Sequence, residues 1–241
     1  MNRKLHLIPL FSINSDRWRK PIYNVVGVTS GLAVLGIRFD KGVMMATDTL
    51  VSYGSEKAFQ ESQRMFKMNE NIVFGGSGDY ADFIIAKTHI ETMIIQDFCF
   101  GQPNLLKPSM LTHWLSTELY NRRVAGQPLS FDSVVGGIQH DGTPYLATIT
   151  RYGGFYADFV AATGPARMGI PMICYRKPND REFTAMEAAK LIEDVMAVVF
   201  YRHTSALESY LVGICKRGKC SVEGPFKIRN HWEFAATISG Y

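Results

Sequence analysis

The apolar period of this chain changes several times, and each change marks an element. Leu32 to Phe39 and Val43 to Asp48 are β-type runs joined at Asp40-Lys41-Gly42, where glycine tolerates the positive φ of a tight turn. A second pair, Arg64 to Met68 and Ile72 to Gly76, turns at Asn69-Glu70-Asn71. The period then lengthens. From Asp79 to Phe98 apolar residues fall at Tyr80, Phe83, Ile84, Ile90 and Ile94, a helical spacing with Ser77 placed to cap its entry. Pro108 suits the first turn of a second helix with the face Leu111, Trp114, Leu115 and Leu119.

Strands return at Ser133 to Gln139 and Tyr145 to Thr150 around Asp141-Gly142, a strong hairpin signal, and Gly153-Gly154 turns into a further strand, Phe155 to Ala162. Two more helices are predicted over Ala166 to Tyr175 and Thr184 to Tyr201, the latter opened by the capping box Thr184-Ala185-Met186-Glu187. Tyr210 to Cys215 and Lys219 to Glu223 form a last hairpin before a tail carrying Trp232 and Phe234. Antiparallel hairpins separated by helix pairs, rather than strict βαβ alternation, predict an α+β sandwich with helices covering the sheets. Residues 1 to 28 show no clean period and, with Pro9 and Pro21, read as an extended arm; residues 29 to 241 read as one domain, since no linker divides them.

Composition narrows this picture only a little. With 241 residues, 46% of them hydrophobic and 20% charged, the chain can bury one substantial core. The formal charge of +4 is mild. The one basic cluster, Arg17, Arg19 and Lys20 around Trp18, reads as a solvated tail, because no RNA-binding or helix-turn-helix signature accompanies it. No nucleic-acid partner is expected. The apolar stretch after Asn2-Arg3-Lys4 is broken by His6 and Pro9, too short for a secretory leader, and no segment approaches the roughly 18 apolar residues of a membrane span. A soluble intracellular protein is therefore expected.

Cys99, Cys174, Cys215 and Cys220 form no C-x-x-C, and the six histidines show no H-E-x-x-H, so neither a metal nor a cofactor is implied. Cys215 and Cys220 flank Lys216-Arg217-Gly218-Lys219, a spacing that a cross-hairpin disulfide can span, although a reducing compartment favours free thiols. Gly75-Gly76-Ser77-Gly78, read alone, could be an anion cradle at a helix entry, but it is neither G-x-G-x-x-G nor a P-loop and reads as a plain tight turn.

Several segments together are more specific. The hairpin ending in Ala46-Thr47-Asp48, then Ser52-Tyr53-Gly54-Ser55, Ser77-Gly78-Asp79-Tyr80-Ala81-Asp82, Tyr120-Asn121-Arg122-Arg123 with Pro128-Leu129, Ala162-Thr163-Gly164, Phe200-Tyr201-Arg202 and Ile238-Ser239-Gly240-Tyr241 fall in a fixed order. That order and spacing resemble proteasome beta subunits over residues 31 to 241. The resemblance implies a four-layer αββα sandwich of the Ntn-hydrolase type. It further implies other alpha and beta subunits as partners, in a double seven-membered beta ring capped by alpha rings. The implied setting is ATP- and ubiquitin-dependent protein degradation in cytoplasm and nucleus.

Active members of that family attack the peptide carbonyl with the hydroxyl of an N-terminal threonine, whose own α-amino group serves through water as base. Counting back from Phe39 and Asp48, the nucleophile place falls on Leu32, preceded by Gly31. Leucine has no nucleophile, so neither an acyl-enzyme nor self-processing is expected. Of the supporting positions, the acid is kept as Asp48 and the oxyanion donor as Gly78. The lysine is replaced by Arg64, whose guanidinium holds its proton too tightly for an exchange role. Pro165 stands where a serine is expected, and His203 and Ala206 stand for the aspartate and second serine.

The resemblance thus implies a noncatalytic member, with Asp48 and Arg64 read as a retained ion pair at the base of the hairpin. Two other readings stay open at this point. One is a working threonine or serine peptidase beginning at Thr29 or Ser30, which needs the strand register to shift by two or three residues. The other is a free-standing binding module, which predicts a stable monomer.

Overall fold

The computed structural model describes residues 29–54, 56–101, 105–203 and 206–229. The arm over 1–28 and the tail over 230–241 lie outside the described residues.

Side-chain alternation along two strands sets the layers. On β2 (Val34–Phe39) and β3 (Gly42–Asp48), Leu35, Ile37, Phe39, Met44 and Ala46 face one way, and Val34, Val43 and Met45 face the other. Both faces are covered, and every residue of β3 is buried. These strands sit in an antiparallel sheet of order β11-β2-β3-β12-β13, with β11 Val160–Thr163, β12 Ser209–Lys216 and β13 Lys219–Lys227.

The second sheet runs β10 (Phe155–Ala157), β9 (Pro144–Ile149), β8 (Phe131–Ile138), β7 (Ile72–Asp79), β1 (Thr29–Gly31), β4 (Val51–Tyr53) and β5 (Glu56–Phe59). A further strand, β6 (Met65–Asn69), pairs with Ile72 to Gly75 of β7, while β1 pairs with its end at Gly78 and Asp79. Between the sheets lie Val34, Val43, Met45, Met65, Val73, Val134 and Leu146.

Helices α1 (Tyr80–Cys99) and α2 (Pro108–Val124) close the outer face of one sheet, packing Phe83, Ile90, Leu111, Leu115 and Leu119 on Phe74, Phe131 and Ile149. Helices α3 (Ile170–Arg176) and α4 (Ala185–Arg202) close the other with Ile173, Leu191, Ile192, Val195 and Val199. The result is the four-layer αββα sandwich of antiparallel sheets that the resemblance implies.

Four local readings of the sequence need correction. The cap of α1 is Asp79, whose Oδ1 accepts the N–H groups of Ala81 (2.9 Å) and Asp82 (3.2 Å); Ser77 is not the cap because pairing with β8 and β1 extends β7 through Asp79. The single strand expected over Phe155 to Ala162 divides between the sheets. Asp158 N–H bonds back to Leu146 O, while Arg38 N–H reaches across to Phe159 O. Both halves are extended, so the period cannot register the change of sheet. The helix expected from Ala166 opens as a 3-10 segment, Gly164–Gly169, with α3 following. Finally, the β12–β13 register sets Cys215 opposite Cys220 with Cα atoms 4.2 Å apart, and the two are joined as a disulfide rather than free.

The capping box of α4 is formed as read from the sequence: Thr184 Oγ1 accepts the Glu187 N–H, and Glu187 accepts the Thr184 N–H. Arg181, first, and then the Thr184 N–H hold the Glu187 carboxyl down from 4.5 to about 2. A depressed carboxyl contributes fully above its unfolded value and loses that contribution as pH falls through the folded one. The first turn of α4 should therefore keep full amide protection above pH 4.5 and lose part of it on the way to about 2. In Glu187→Gln, hydrogen exchange at the Thr184 amide should be faster at neutral pH and lack that acid dependence.

Candidate functional site

The positions picked from the sequence gather where the chain crosses between sheets. It leaves the β4-containing sheet after β1, passes Leu32 and Ala33, and enters β2; it returns after β3 through Thr49 and Leu50 to β4. Asp48 holds both crossings. Its Oδ1 accepts the Ala33 N–H at 3.0 Å and its Oδ2 accepts the Leu50 N–H at 3.2 Å. Thr47 Oγ1 donates to Ala33 O at 2.9 Å, and Thr163 Oγ1 accepts the Val34 N–H at 3.1 Å, so the start of β2 is held on two sides.

Arg64 is only 1% exposed and pairs with Asp48 through a short contact from Nη2 to Oδ1. The same Nη2 donates to Asp48 O at 2.9 Å, and Nη1 donates to Gly76 O at 3.0 Å. Gly76 N–H in turn donates to Arg64 O at 3.1 Å. The ion pair read from the sequence is therefore real, and it sits deeper than the base of one hairpin: it ties β3 of one sheet to β7 of the other.

Leu32 is half-buried and packs against the core under α3 and α4. Its carbonyl lies so close to Gly164 that a Cβ there, at φ +53, would collide with it. Gly78 also has positive φ, +98, and a Cβ on it would meet Ser130 O at 2.6 Å and Phe131 Cα at 2.9 Å. Register places Gly78 between Gly31 and Phe131, so no open edge remains beside it.

Pro165 follows Gly164 at the start of the 3-10 segment and offers neither hydroxyl nor N–H. His203 is the C-cap of α4, its N–H donating to Val199 O, and Ala206 is buried in the core under that helix. The arrangement can fix backbone groups and bury charge, and the Leu32 side chain is alkyl and offers no atom that could attack a carbonyl. Among the described residues no group of His, Cys, Asp and Glu side chains is placed to hold a metal ion.

What the sequence reading missed is β1. Thr29, Ser30 and Gly31 pair with Tyr53, Ser52 and Val51 of β4, and Ser30 and Gly31 also pair with Asp79 and Gly78 of β7. Ser30 Oγ lies 3.1 Å from Ser52 Oγ, and Ser52 Oγ donates to Ser30 O at 3.2 Å. A three-residue run of small polar residues carries no periodicity, so only pairing on both sides could reveal it as a strand. Removing one member of a buried, hydrogen-bonded ion pair leaves the other charge stranded, at a cost of about 3–5 kcal/mol. Asp48→Asn and Arg64→Met should each lower the thermal midpoint steeply, while a change in an exposed pair such as Glu70→Gln leaves it nearly unmoved.

A proteasome subunit family model matches residues 28–215. The chain is 47% identical over 220 residues to proteasome subunit beta type-4 of Drosophila melanogaster, covering 91% of this chain and 82% of that protein. It is 34% identical over 215 residues to the beta type-4 subunit of Xenopus laevis, covering 89% of this chain and 88% of that one. Against proteasome subunit beta type-7 of Saccharomyces cerevisiae it is 30% identical over 230 residues, covering 89% and 84%. The sandwich, the order of its segments and these relatives agree: the chain belongs to the proteasome subunit family, with its similarity running to beta-type members.

Proposed function

We propose that this chain is a noncatalytic, structural beta subunit of the 20S proteasome core particle, at the seventh (beta type 4) position of the ring. The observation that carries this reading is Leu32: a half-buried alkyl side chain packed against the core stands where a threonine hydroxyl is required, and Pro165, His203 and Ala206 supply no replacement. His203 departs from the arginine-aspartate sequence usual at that ring position, whereas Ser52-Tyr53-Gly54 and the Tyr120-Asn121-Arg122-Arg123 run agree with it.

The chain's role is to complete a seven-membered beta ring and to help hold two such rings together. A closed ring of different subunits needs heterologous interfaces of the right rotation, and a subunit without chemistry closes it as well as an active one. Its partners are alpha subunits, two beta neighbours and the opposite beta ring. Large exposed apolar side chains on both helix layers support partners on two faces: Phe98 and Phe100 at the C-terminal end of α1 on one, Tyr175 and Met186 on the other. The setting is ATP- and ubiquitin-dependent degradation in cytoplasm and nucleus.

The test is the intact mass of this chain from the native particle after exposure to a broad covalent threonine-peptidase inhibitor. An unshifted mass beside labelled partner subunits is expected; an adduct on this chain would show that it carries its own nucleophile, at Thr29, Ser30 or elsewhere. Leu32→Thr alone should restore no labelling, because Arg64, Pro165, His203 and Ala206 remain unsuited to activate it.

A further inference from the structure

We propose that Arg64 is a latch that holds residues 29–31 in the sheet, and that this latch is the reason position 31 is glycine. The inference goes beyond the noncatalytic reading and does not depend on it. Strand β1 is three residues long, and neither Ser30, half-buried and polar, nor Gly31, without a side chain, brings an apolar group to the core. Three residues are at the short end of strand lengths and bring few ladder bonds of their own. What retains them must come from their neighbours.

Two of those contributions are the ladders to β4 and β7 and the Ser30–Ser52 hydroxyl contacts. The third is the Arg64 side chain, which lies against Gly31 on the face toward the ion pair. A Cβ on Gly31 would fall 2.5 Å from Arg64 Cδ and 2.7 Å from Cζ, and would also strike Nη1. Arg64 cannot yield to it. Its guanidinium is fastened to Gly76 O on β7 and to both Asp48 O and Asp48 Oδ1 on β3, in a site that is 1% exposed.

The planar fork thus bridges two sheets and presents its edge and stem to the backbone of β1. A lysine ammonium is a point charge on a flexible stem and cannot span Gly76 O and Asp48 while also covering Gly31. The arginine is therefore more than a poor substitute for a catalytic lysine. With β1 latched, the edges of β4 and β7 that face each other across it are filled; without it, both would be open to an added strand.

Hydrogen exchange on the assembled particle tests this, comparing Arg64→Lys, Gly31→Ala and Ser52→Ala with the natural chain. In Arg64→Lys the loss of charge-assisted contacts should speed exchange at Ser30 and Gly31 by about tenfold or more. Gly31→Ala, which leaves the ion pair intact, should do the same by displacing β1, and Ser52→Ala should act more weakly. Throughout, Ser30 and Gly31 should lose clearly more protection than β2 and β3.

Unchanged exchange at Ser30 and Gly31 in both of the first two variants would overturn the latch. So would a loss of protection spread equally over β2, β3 and β7, or failure of Arg64→Lys to assemble, because Arg64 would then be a support of the whole fold. The inhibitor-labelling result is unaffected by any of these outcomes, so this inference and the noncatalytic reading fail separately.

Discussion

The Asp48–Arg64 pair is the constraint on which the crossing end of the sandwich depends. Burying two charges is expensive, and their attraction repays the cost only when the remaining donors and acceptors are also met. Here most of them are. Asp48 takes the N–H groups of Ala33 and Leu50 as well as Arg64, and Arg64 takes two backbone carbonyls besides the carboxylate. Those partners are the groups that a chain leaving one sheet for another would otherwise strand without a ladder. The ion pair therefore does for the crossings what strand pairing does for the sheet interior.

The other polar residues at this end are held by structural contacts as well. Asp48, Thr47, Thr163 and the positive-φ glycines 78 and 164 each answer to a backbone contact in this chain. None of those contacts requires a nucleophile. Leu32, half-buried, packs against the core under α3 and α4, and Ala206 is buried in the same core. Apolar side chains at positions 32 and 206 pack at this end while the polar groups beside them tie the sheets together.

Elements whose evidence is local were legible in the sequence. The hairpin at Asp40-Lys41-Gly42, the Pro108 helix start and the Thr184-to-Glu187 capping box all appear where the pattern put them, because short turns, a fixed proline φ and reciprocal caps act within a few residues. Gly42, however, does not take the expected positive φ and is instead the first residue of β3, where a Cβ would strike Cys215 O. The cap at Asp79, the division of the strand around Asp158 and the pairing of Thr29 to Gly31 were not legible. Each is settled by a strand from elsewhere in the chain.

The same division holds for the site. The sequence by itself determined that Leu32 can supply no attacking atom and that Arg64 cannot exchange a proton as a lysine does, since these follow from side-chain chemistry alone. It also suggested that Asp48 and Arg64 pair, since opposite charges at matched places in a known order invite it. Only the tertiary structure decided how deeply that pair is buried, that it joins two sheets rather than one hairpin, and that Gly31 lies under its guanidinium. Burial, reach and clearance depend on where separate strands come to rest, and that placement is set by packing across the whole sandwich.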